Sequence, residues 1–528
     1  MYPIALLAIG ILVFAPAAFA QLTDETQTTP NVKGGAIAKS LQQQVGAGQG
    51  NEFIPGSSIY LIKRDPARSI RRGRQLFQRK FTANQGLGPR VSGDSTGNIR
   101  NNRALGAGLV DSCAGCHGRP RGSAGFGGDV VTRPDSRDAP HLFGLGLKEM
   151  LADEMTTELR DIEALAVQQA QSNGFPVTRN LYAKGIYFGK VTGHPNGTSD
   201  TSKVEGVDPD LRIKPFFLEG GTISMREFAI GAFKAEMGLE APDPILCDVT
   251  DPVNPQARTS PSGFHYDPAL DTFERPPVCD VNADGDGDGL VNEIDAALID
   301  HMEFYLLNYF KAGLDRQTYR TQQGLSLMHQ IGCTHCHVQN LTIDSDRRVA
   351  DIETVYDPAN GIFNRLFATH ELRFDVVQDG QAFPKLLPQG NSFIVRNIFT
   401  DFKRHDLGET YHEREYDGTF QTEFLTTALW GVGTSAPYGH DGRSISIRNA
   451  ILRHGGEAAF ASRNFARLSD SNQRKILEFL GTLVLFPPDD TASTLNPGGG
   501  GTGHIQDPDF HGNINLGALF QIPSEGPE

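Results

Sequence analysis

The chain has 528 residues, enough for two or three domains with buried cores and too many for one small single-core fold. Hydrophobic residues make up 38%, and 59 glycines with 31 prolines point to long irregular connections between regular elements. A formal charge of −15 leaves no basic excess to neutralise phosphates, which excludes nucleic acid as a partner, and beyond the N-terminus no stretch approaches the roughly 18 apolar residues of a membrane span.

The chain opens with a short apolar run over 4–17 that ends in Ala18-Phe19-Ala20, the A-x-A pattern of a signal peptide cleaved after Ala20. Its first residues carry no Lys or Arg, a departure from the usual charged start. An exported, periplasmic protein is expected, in a compartment where disulfides persist. Residues 21–60 are polar and Gly-rich and read as an extended arm. A helix is predicted over 65–80, with Ile70, Leu76 and Phe77 on one side, leading through Gln85-Gly86-Leu87-Gly88-Pro89 to Cys113-Ala114-Gly115-Cys116-His117. Two thiols at this spacing can bond both vinyl groups of a porphyrin while the adjacent His reaches the iron, so the pentapeptide reads as a c-type haem attachment point.

The same plan recurs. A helix predicted over 316–330, with Leu325, Leu327 and Met328, enters Cys333-Thr334-His335-Cys336-His337, and an amphipathic helix over 470–485 closes that half. No further Cys pair remains to complete a tetrahedral zinc site, so two covalent haem c groups are expected. Gly220-Gly221-Thr222-Ile223-Ser224-Met225-Arg226 follows the first motif much as Gly442-Arg443-Ser444-Ile445-Ser446-Ile447-Arg448 follows the second, each opening a helix with Ser in the capping region. The expected fold is mainly α: two cytochrome c-like haem domains, 61–245 and 313–490, with long loops, an insertion over 246–312 and a Gly-rich tail over 491–528.

The insertion has its own chemistry. Residues 284–295 fit an EF-hand-type loop, with Asp284, Asp286, Asp288, Leu290, Asn292 and Asp295 at the ligand positions, Gly289 at the sharp turn and a helix following over 293–311. Position 12 is Asp rather than Glu. The readings are a structural Ca2+ site or a solvated acidic turn. Cys247 and Cys279 stand outside the haem motifs and read as a disulfide, the alternative being two free thiols.

The distal ligands must be His or Met. On the second half the candidate is His454, on the helix after Pro437-Tyr438-Gly439-His440-Asp441-Gly442-Arg443, weighed against a surface His. Aligning Gly220 with Gly442 places Ala232 where His454 stands, and alanine cannot ligate iron.

At these residues the chain resembles a known family. The 436–443 segment with Leu429-Trp430-Gly431 before it and the His454 helix after it is similar to the C-terminal haem domain of the bacterial di-haem cytochrome c peroxidase superfamily. More narrowly, Gly73-Arg74-Gln75-Leu76-Phe77, Gly86-Leu87-Gly88-Pro89, the 401–408 segment and His454-Gly455-Gly456-Glu457-Ala458 resemble the di-haem oxidoreductases that carry the label thiol oxidoreductase. The resemblance implies a bis-His iron, His337 with His454, as electron relay, with His440 beside it. It implies that Glu236, in Glu236-Met237-Gly238, acts as acid/base over a reactive haem 1; the plainer reading is an exposed helix Glu with Met237 in the core. His405, before Asp406, is expected to be oriented by a carboxylate partner, and His141 is expected to be a structural residue or else a ligand of haem 1 in an inactive state. One departure is that the slot where many peroxidases carry a Trp between the haems holds Leu218, while Trp430 lies in the other half.

The implied activity is reduction of hydrogen peroxide with electrons from a small cytochrome c or cupredoxin. The alternatives are a di-haem oxidase or oxygenase of an organic or protein substrate, with a cleft formed by loops over 88–113 and 174–214, and a non-catalytic electron-transfer cytochrome. The thiol label finds no support, since every Cys is taken by haem or a disulfide.

Overall fold

A computed structural model describes residues 41–88, 110–118, 138–285, 289–308, 313–348, 353–357, 362–367, 374–414 and 418–485. The expected signal peptide, residues 21–40 of the arm expected over 21–60, Asp286, Asp288 and the tail from 486 lie outside the described residues, and residues 41–60 of that arm are partly helical rather than extended.

The helices in chain order are α1 (Leu41–Val45), α2 (Ser58–Arg64), α3 (Pro66–Gln78), α4 (Cys113–His117), α5 (Leu145–Asn173) and α6 (Met225–Ala232). They are followed by α7 (Pro244–Val249), α8 (Ala296–Asn308), α9 (Tyr319–Ile331), α10 (Ile447–Arg453), α11 (Ala459–Arg467) and α12 (Asp470–Gly481). Local chemistry sets their starts. Asp65 caps α3 by accepting from the Arg68 N–H, with Pro66 in the first turn, and Thr318 and Thr321 cap α9 reciprocally.

Each half is built on a crossing of two helices. The helix entering the haem motif, α3 or α9, packs on α8 or α12 respectively, and each crossing is made at a glycine. A Cβ on Gly73 would lie 2.1 Å from the His301 carbonyl oxygen, and one on Gly324 would lie 2.0 Å from that of Lys475, so neither position admits a side chain without moving backbone. Helix α8, which the sequence presents as the exit of the acidic loop, is therefore also the closing helix of the first half. Its burial on nearly all sides follows from that position.

Helix α8 also carries a buried ionic cluster. The Arg226 guanidinium on α6 meets Asp243 at 2.5 Å and Asp300 and Glu303 of α8 at 2.9 Å each, all four side chains at most 1% exposed. Ser58 of α2 donates to Asp300, so three helices converge on one charge centre. Burial lifts the Asp300 carboxyl above its ordinary range and pushes Glu303 up to about 7, even with the arginine present.

The expectation of a mainly α fold is corrected: helix accounts for 39% and strand for 15%, with several small sheets. The 174–214 segment, expected as a loop, is a three-stranded antiparallel meander of β1 (Val177–Ala183), β2 (Ile186–Gly193) and β3 (Ser199–Val204) packed on α5. Lys184-Gly185 turns β1 into β2, both with positive φ, as tight hairpins require. Its inward residues Leu181, Ala183, Phe188 and Val191 share a core with Leu151, Met155 and Leu159 of α5 and with Ile343, Val395 and Trp430 of the second half. The halves are further joined where Arg404 N–H donates to Gly206 O at 2.9 Å and Leu425 N–H to Leu218 O at 2.8 Å. No helix among the described residues is long and apolar enough to cross a membrane.

Candidate functional site

In both halves the motif presents two thiols and one oriented imidazole. Cys113, Cys116, Cys333 and Cys336 form no disulfide among the described residues and are half-buried. Burial pushes the Cys113 thiol up to about 12 and that of Cys333 up to about 11, so neither behaves as a reactive thiolate. His117 Nδ1–H donates to Pro140 O at 2.7 Å, and His337 Nδ1–H donates to Phe399 O at 3.0 Å. Burial pushes both rings down to about 4, so each is a neutral imidazole with its Nε2 lone pair directed away from the backbone anchor. That tautomer is the one a metal-binding His adopts, and the two carbonyls that fix it lie 23 and 62 residues from their histidines. These residues fit haem c.

The distal sides differ. Residues Phe216 and Thr222 form an isolated antiparallel bridge, as do Tyr438 and Ser444, and Gly220 and Gly442 turn with φ of 71° and 63°. Ser224 caps α6 through the Glu227 N–H, and Ser446 caps α10 through the Asn449 N–H. The frame is superposable in register, and eight residues past each cap stand Ala232 and His454. His454 closes α10 as its C-cap, with Nδ1–H donated to Ala450 O at 2.6 Å, and Ile447 and Ile451 of the same helix share a core with Cys333 and Phe399, which sets α10 against the second motif. No residue of α10 is fully buried, while Leu452 and Phe460 expose apolar surface of the kind a porphyrin face covers.

In the first half the helix does not stop at Ala232. It continues as a π-helical turn, Phe233–Met237, that carries Glu236 half-buried and ends at Gly238 with φ of 70°. A Cβ on Gly238 would lie 2.0 Å from Gly88 O, and Gly88 N–H donates to Met237 O at 3.2 Å. The Gly86–Gly88 turn thus rests against the Glu236 segment, and π turns of this kind recur at functional sites.

The remaining histidines divide by their hydrogen bonds. His141 accepts from the Phe143 N–H at Nδ1 and donates from Nε2 to Trp430 O at 2.8 Å, so both ring nitrogens are engaged and neither is left for iron. Burial and the nearby Lys148 push its ring down to about 3. His405 donates to Asp401 at 2.9 Å and to Glu457 at 2.8 Å. Burial opposes its charge, yet Asp401 and the Cys336 sulfur as a free thiolate outweigh it and push the ring up to about 11; with Cys336 bonded as a thioether, Asp401 alone of these two still raises it. Cys336, Asp401 and His405 lie within 4.8 Å of one another. A charged ring clamped between two carboxylates offers no lone pair to a metal. His440 stacks on Phe424 at 3.9 Å and lies 6.0 Å from the Tyr411 ring, which in turn meets His454 at 5.6 Å. Arg453 locks this corner, pairing with both oxygens of Asp441 and lying 4.0 Å over Tyr411.

Several participants carry no signal in sequence. The anchoring carbonyls of Pro140 and Phe399 can belong to any residue type. Trp430, placed in the second half by sequence, contacts the first: it receives His141 on its carbonyl and the Lys148 ammonium 6.0 Å over its ring. Burial pushes that ammonium down to about 8.

Cys247 and Cys279 form a disulfide. Of the acidic loop, Asp284 accepts the Gly289 N–H at 2.9 Å, Gly289 has φ of 91°, and Asp295 accepts the Ala297 N–H at the start of α8. The Asn292 Oδ1 is buried without a hydrogen-bond partner among the described residues, which fits an oxygen ligand at that position.

Residues 385–483 match the family model described as "di-haem oxidoreductase, putative peroxidase", the family that the motifs resemble. No curated protein matches the chain. A solved structure of Kuenenia stuttgartiensis hydrazine synthase aligns at 14% identity over 35% of this chain with a TM-score of 0.20, too low to bear on fold or function. The chain spans about half, 55%, of that protein.

Proposed function

We propose that this di-haem oxidoreductase is an exported, periplasmic enzyme of the peroxidase type, with haem 1 (Cys113, Cys116, His117) as reactive centre and haem 2 (Cys333, Cys336, His337, His454) as electron relay. The observation that carries the reading is the register of the two Ser-capped frames, which puts Ala232 where the other half has His454. When bound, the two haems supply the iron coordination sites and carry the electrons. The chain supplies the asymmetry between them. His337 and His454 would both ligate one iron, a ligand pair suited to electron transfer rather than to binding substrate. His117 would ligate the other, and the double hydrogen bonding of His141 argues against the non-catalytic reading in which His141 is its second ligand.

Peroxide reduction consumes two electrons and two protons per molecule and gives two waters. Glu236, on its π turn, takes the proton from one peroxide oxygen and returns it to the other as the O–O bond breaks. The electrons come from a small cytochrome c or cupredoxin. The acidic loop over 284–295 binds Ca2+ and fixes the start of α8, the closing helix of the haem 1 half.

Electron paramagnetic resonance of the oxidised protein tests the split of roles. A high-spin signal beside a low-spin one is expected; two low-spin signals in every redox state would overturn it. Peroxide turnover with a reduced cytochrome should fall strongly in Glu236→Gln. Absence of turnover in the unaltered enzyme would remove the peroxidase reading and leave oxidation of an organic substrate.

A further inference from the structure

The two carbonyls that orient His117 and His337 lead to one another. Pro140, whose carbonyl accepts His117 Nδ1–H at 2.7 Å, is joined by a peptide bond to His141, and the His141 ring donates from Nε2 to Trp430 O at 2.8 Å. Trp430 follows Leu429, whose N–H donates to Ile398 O at 3.0 Å. Ile398 in turn precedes Phe399, whose carbonyl accepts His337 Nδ1–H at 3.0 Å. Four hydrogen bonds and the short covalent stretches between them therefore run without a gap from one haem-motif imidazole to the other.

The middle of this run is held in place. His141, Ile398, Phe399 and Trp430 are all buried, so water does not compete for its bonds. Phe143 N–H donates to His141 Nδ1 at 3.2 Å, which fixes the ring with Nε2 on the Trp430 carbonyl. Gly431 comes next, with φ of 79°, and a Cβ there would lie 3.1 Å from His141 Nε2 and 2.4 Å from the Leu485 side chain. A side chain at that position presses on the central bond.

We propose that this run of bonds is the electron path between the two haems, with the His141 ring and the Trp430 carbonyl as its bridge between the halves. The proposal rests on the assignment of haem 2 as relay and names the residues that make the relay work. In each transfer reduced haem 2 loses one electron, which the small redox protein replaces, and oxidised haem 1 gains it; no proton or atom changes place. Tunnelling decays less steeply along covalent and hydrogen bonds than across open gaps. The path also meets each ligating ring at Nδ1–H, the atom whose hydrogen bond orients such a ring and sets its basicity toward the metal.

The test uses the full-length di-haem protein. A pulse of radiolytic reductant places less than one electron on each oxidised molecule, and its passage between the haems is followed by absorbance. Haem content and both midpoint potentials are measured in every sample, which separates a changed driving force from a changed path. His141→Phe keeps a ring and removes the donor; it should slow the transfer severalfold at unchanged potentials, and His141→Gln, which keeps a donor, should recover part of the rate. Gly431→Ala alters no residue of the path and should slow the transfer too, which guards against a folding defect peculiar to His141→Phe. Equal rates in His141→Phe and the unaltered protein would overturn the path, as would equal rates in Gly431→Ala should His141→Phe not retain both haems. A rate that falls in Trp430→Leu, which keeps the carbonyl and loses the ring, but holds in His141→Phe would assign the transfer to the indole and overturn it as well. No passage of the electron in the unaltered protein would sink the relay reading and the path together. A His141-dependent transfer without peroxide turnover would remove the peroxidase reading and leave the path standing.

Discussion

Replacing Arg226 by Met should destabilise the protein severely, and its counterpart in the other half supplies the control. Arg226 and Arg448 occupy the same place, two residues past Ser224 and Ser446, yet Arg226 is fully buried among three carboxylates and Arg448 is exposed. Removing one partner of a buried ion pair costs about 3 to 5 kcal/mol, whereas an exposed substitution costs within about 0.5 kcal/mol. At about 2 to 4 °C per kcal/mol for a domain of this size, the melting point of Arg226→Met should drop by roughly 6 to 20 °C. The deficit should also depend on pH. Asp300 and Glu303 already titrate above their unfolded values because they are buried, and losing the guanidinium raises them further. A carboxyl whose folded pKa exceeds its unfolded one loses stability as pH rises from about 4.5 through the folded value. Arg226→Met should therefore lie closer to the unaltered protein at pH 5.5 than at pH 8, as read by thermal unfolding in far-ultraviolet circular dichroism. If Arg226→Met melts with Arg448→Met, or if its deficit is the same at both pH values, the cluster does not hold α6 to α8 in the way described.

His454→Ala should convert the low-spin signal of haem 2 to high-spin, with added imidazole restoring it; an unchanged spectrum would assign the sixth ligand elsewhere. Reducing the Cys247–Cys279 disulfide, which closes a span of 32 residues, should cost about 4 kcal/mol in denaturant titration. His141, neutral in the fold down to about pH 3 and titrating near 6.5 when unfolded, binds more protons in the unfolded state between those values. Its contribution is present above about pH 6.5 and is lost on acidification, about 2 kcal/mol of it by pH 5. His141→Gln keeps a donor and an acceptor, so urea midpoints at pH 7 and pH 5 should differ less in the variant; an equal acid loss would show that other groups set it.

What the sequence made legible was local. The two pentapeptides, the Ser caps of α6 and α10, the helices entering and closing the second half and the Cys247–Cys279 pair all follow from spacing and residue type over short ranges. The β meander was also written in its residues, as β-rich runs around Lys184-Gly185, but the glycines and polar positions of that stretch equally suit a loop. Other features depend on distance along the chain. Nothing in the composition of α8 pairs it with α3 rather than leaving it as the exit of an acidic loop. The acids on it, Asp300 and Glu303, look like a solvated face until Arg226 is placed between them. Likewise Trp430 stands in the wrong half to read as a neighbour of His141, and no residue-type signal marks the carbonyls of Pro140 or Phe399 as acceptors for a ring N–H.

The bond from His141 to the Trp430 carbonyl spans 289 residues, and that separation has a meaning in time. A ribosome makes Cys113 and His117 long before it makes the partner on which the loop beside them settles. The first pentapeptide is thus made on a chain whose finished surroundings do not yet exist, while the second is followed within about 150 residues by the helix α12 that closes its half. Haem attachment and folding are expected to be sequential in one half and nearly simultaneous in the other, and arrested chains ending before residue 430 would hold the first site open to solvent.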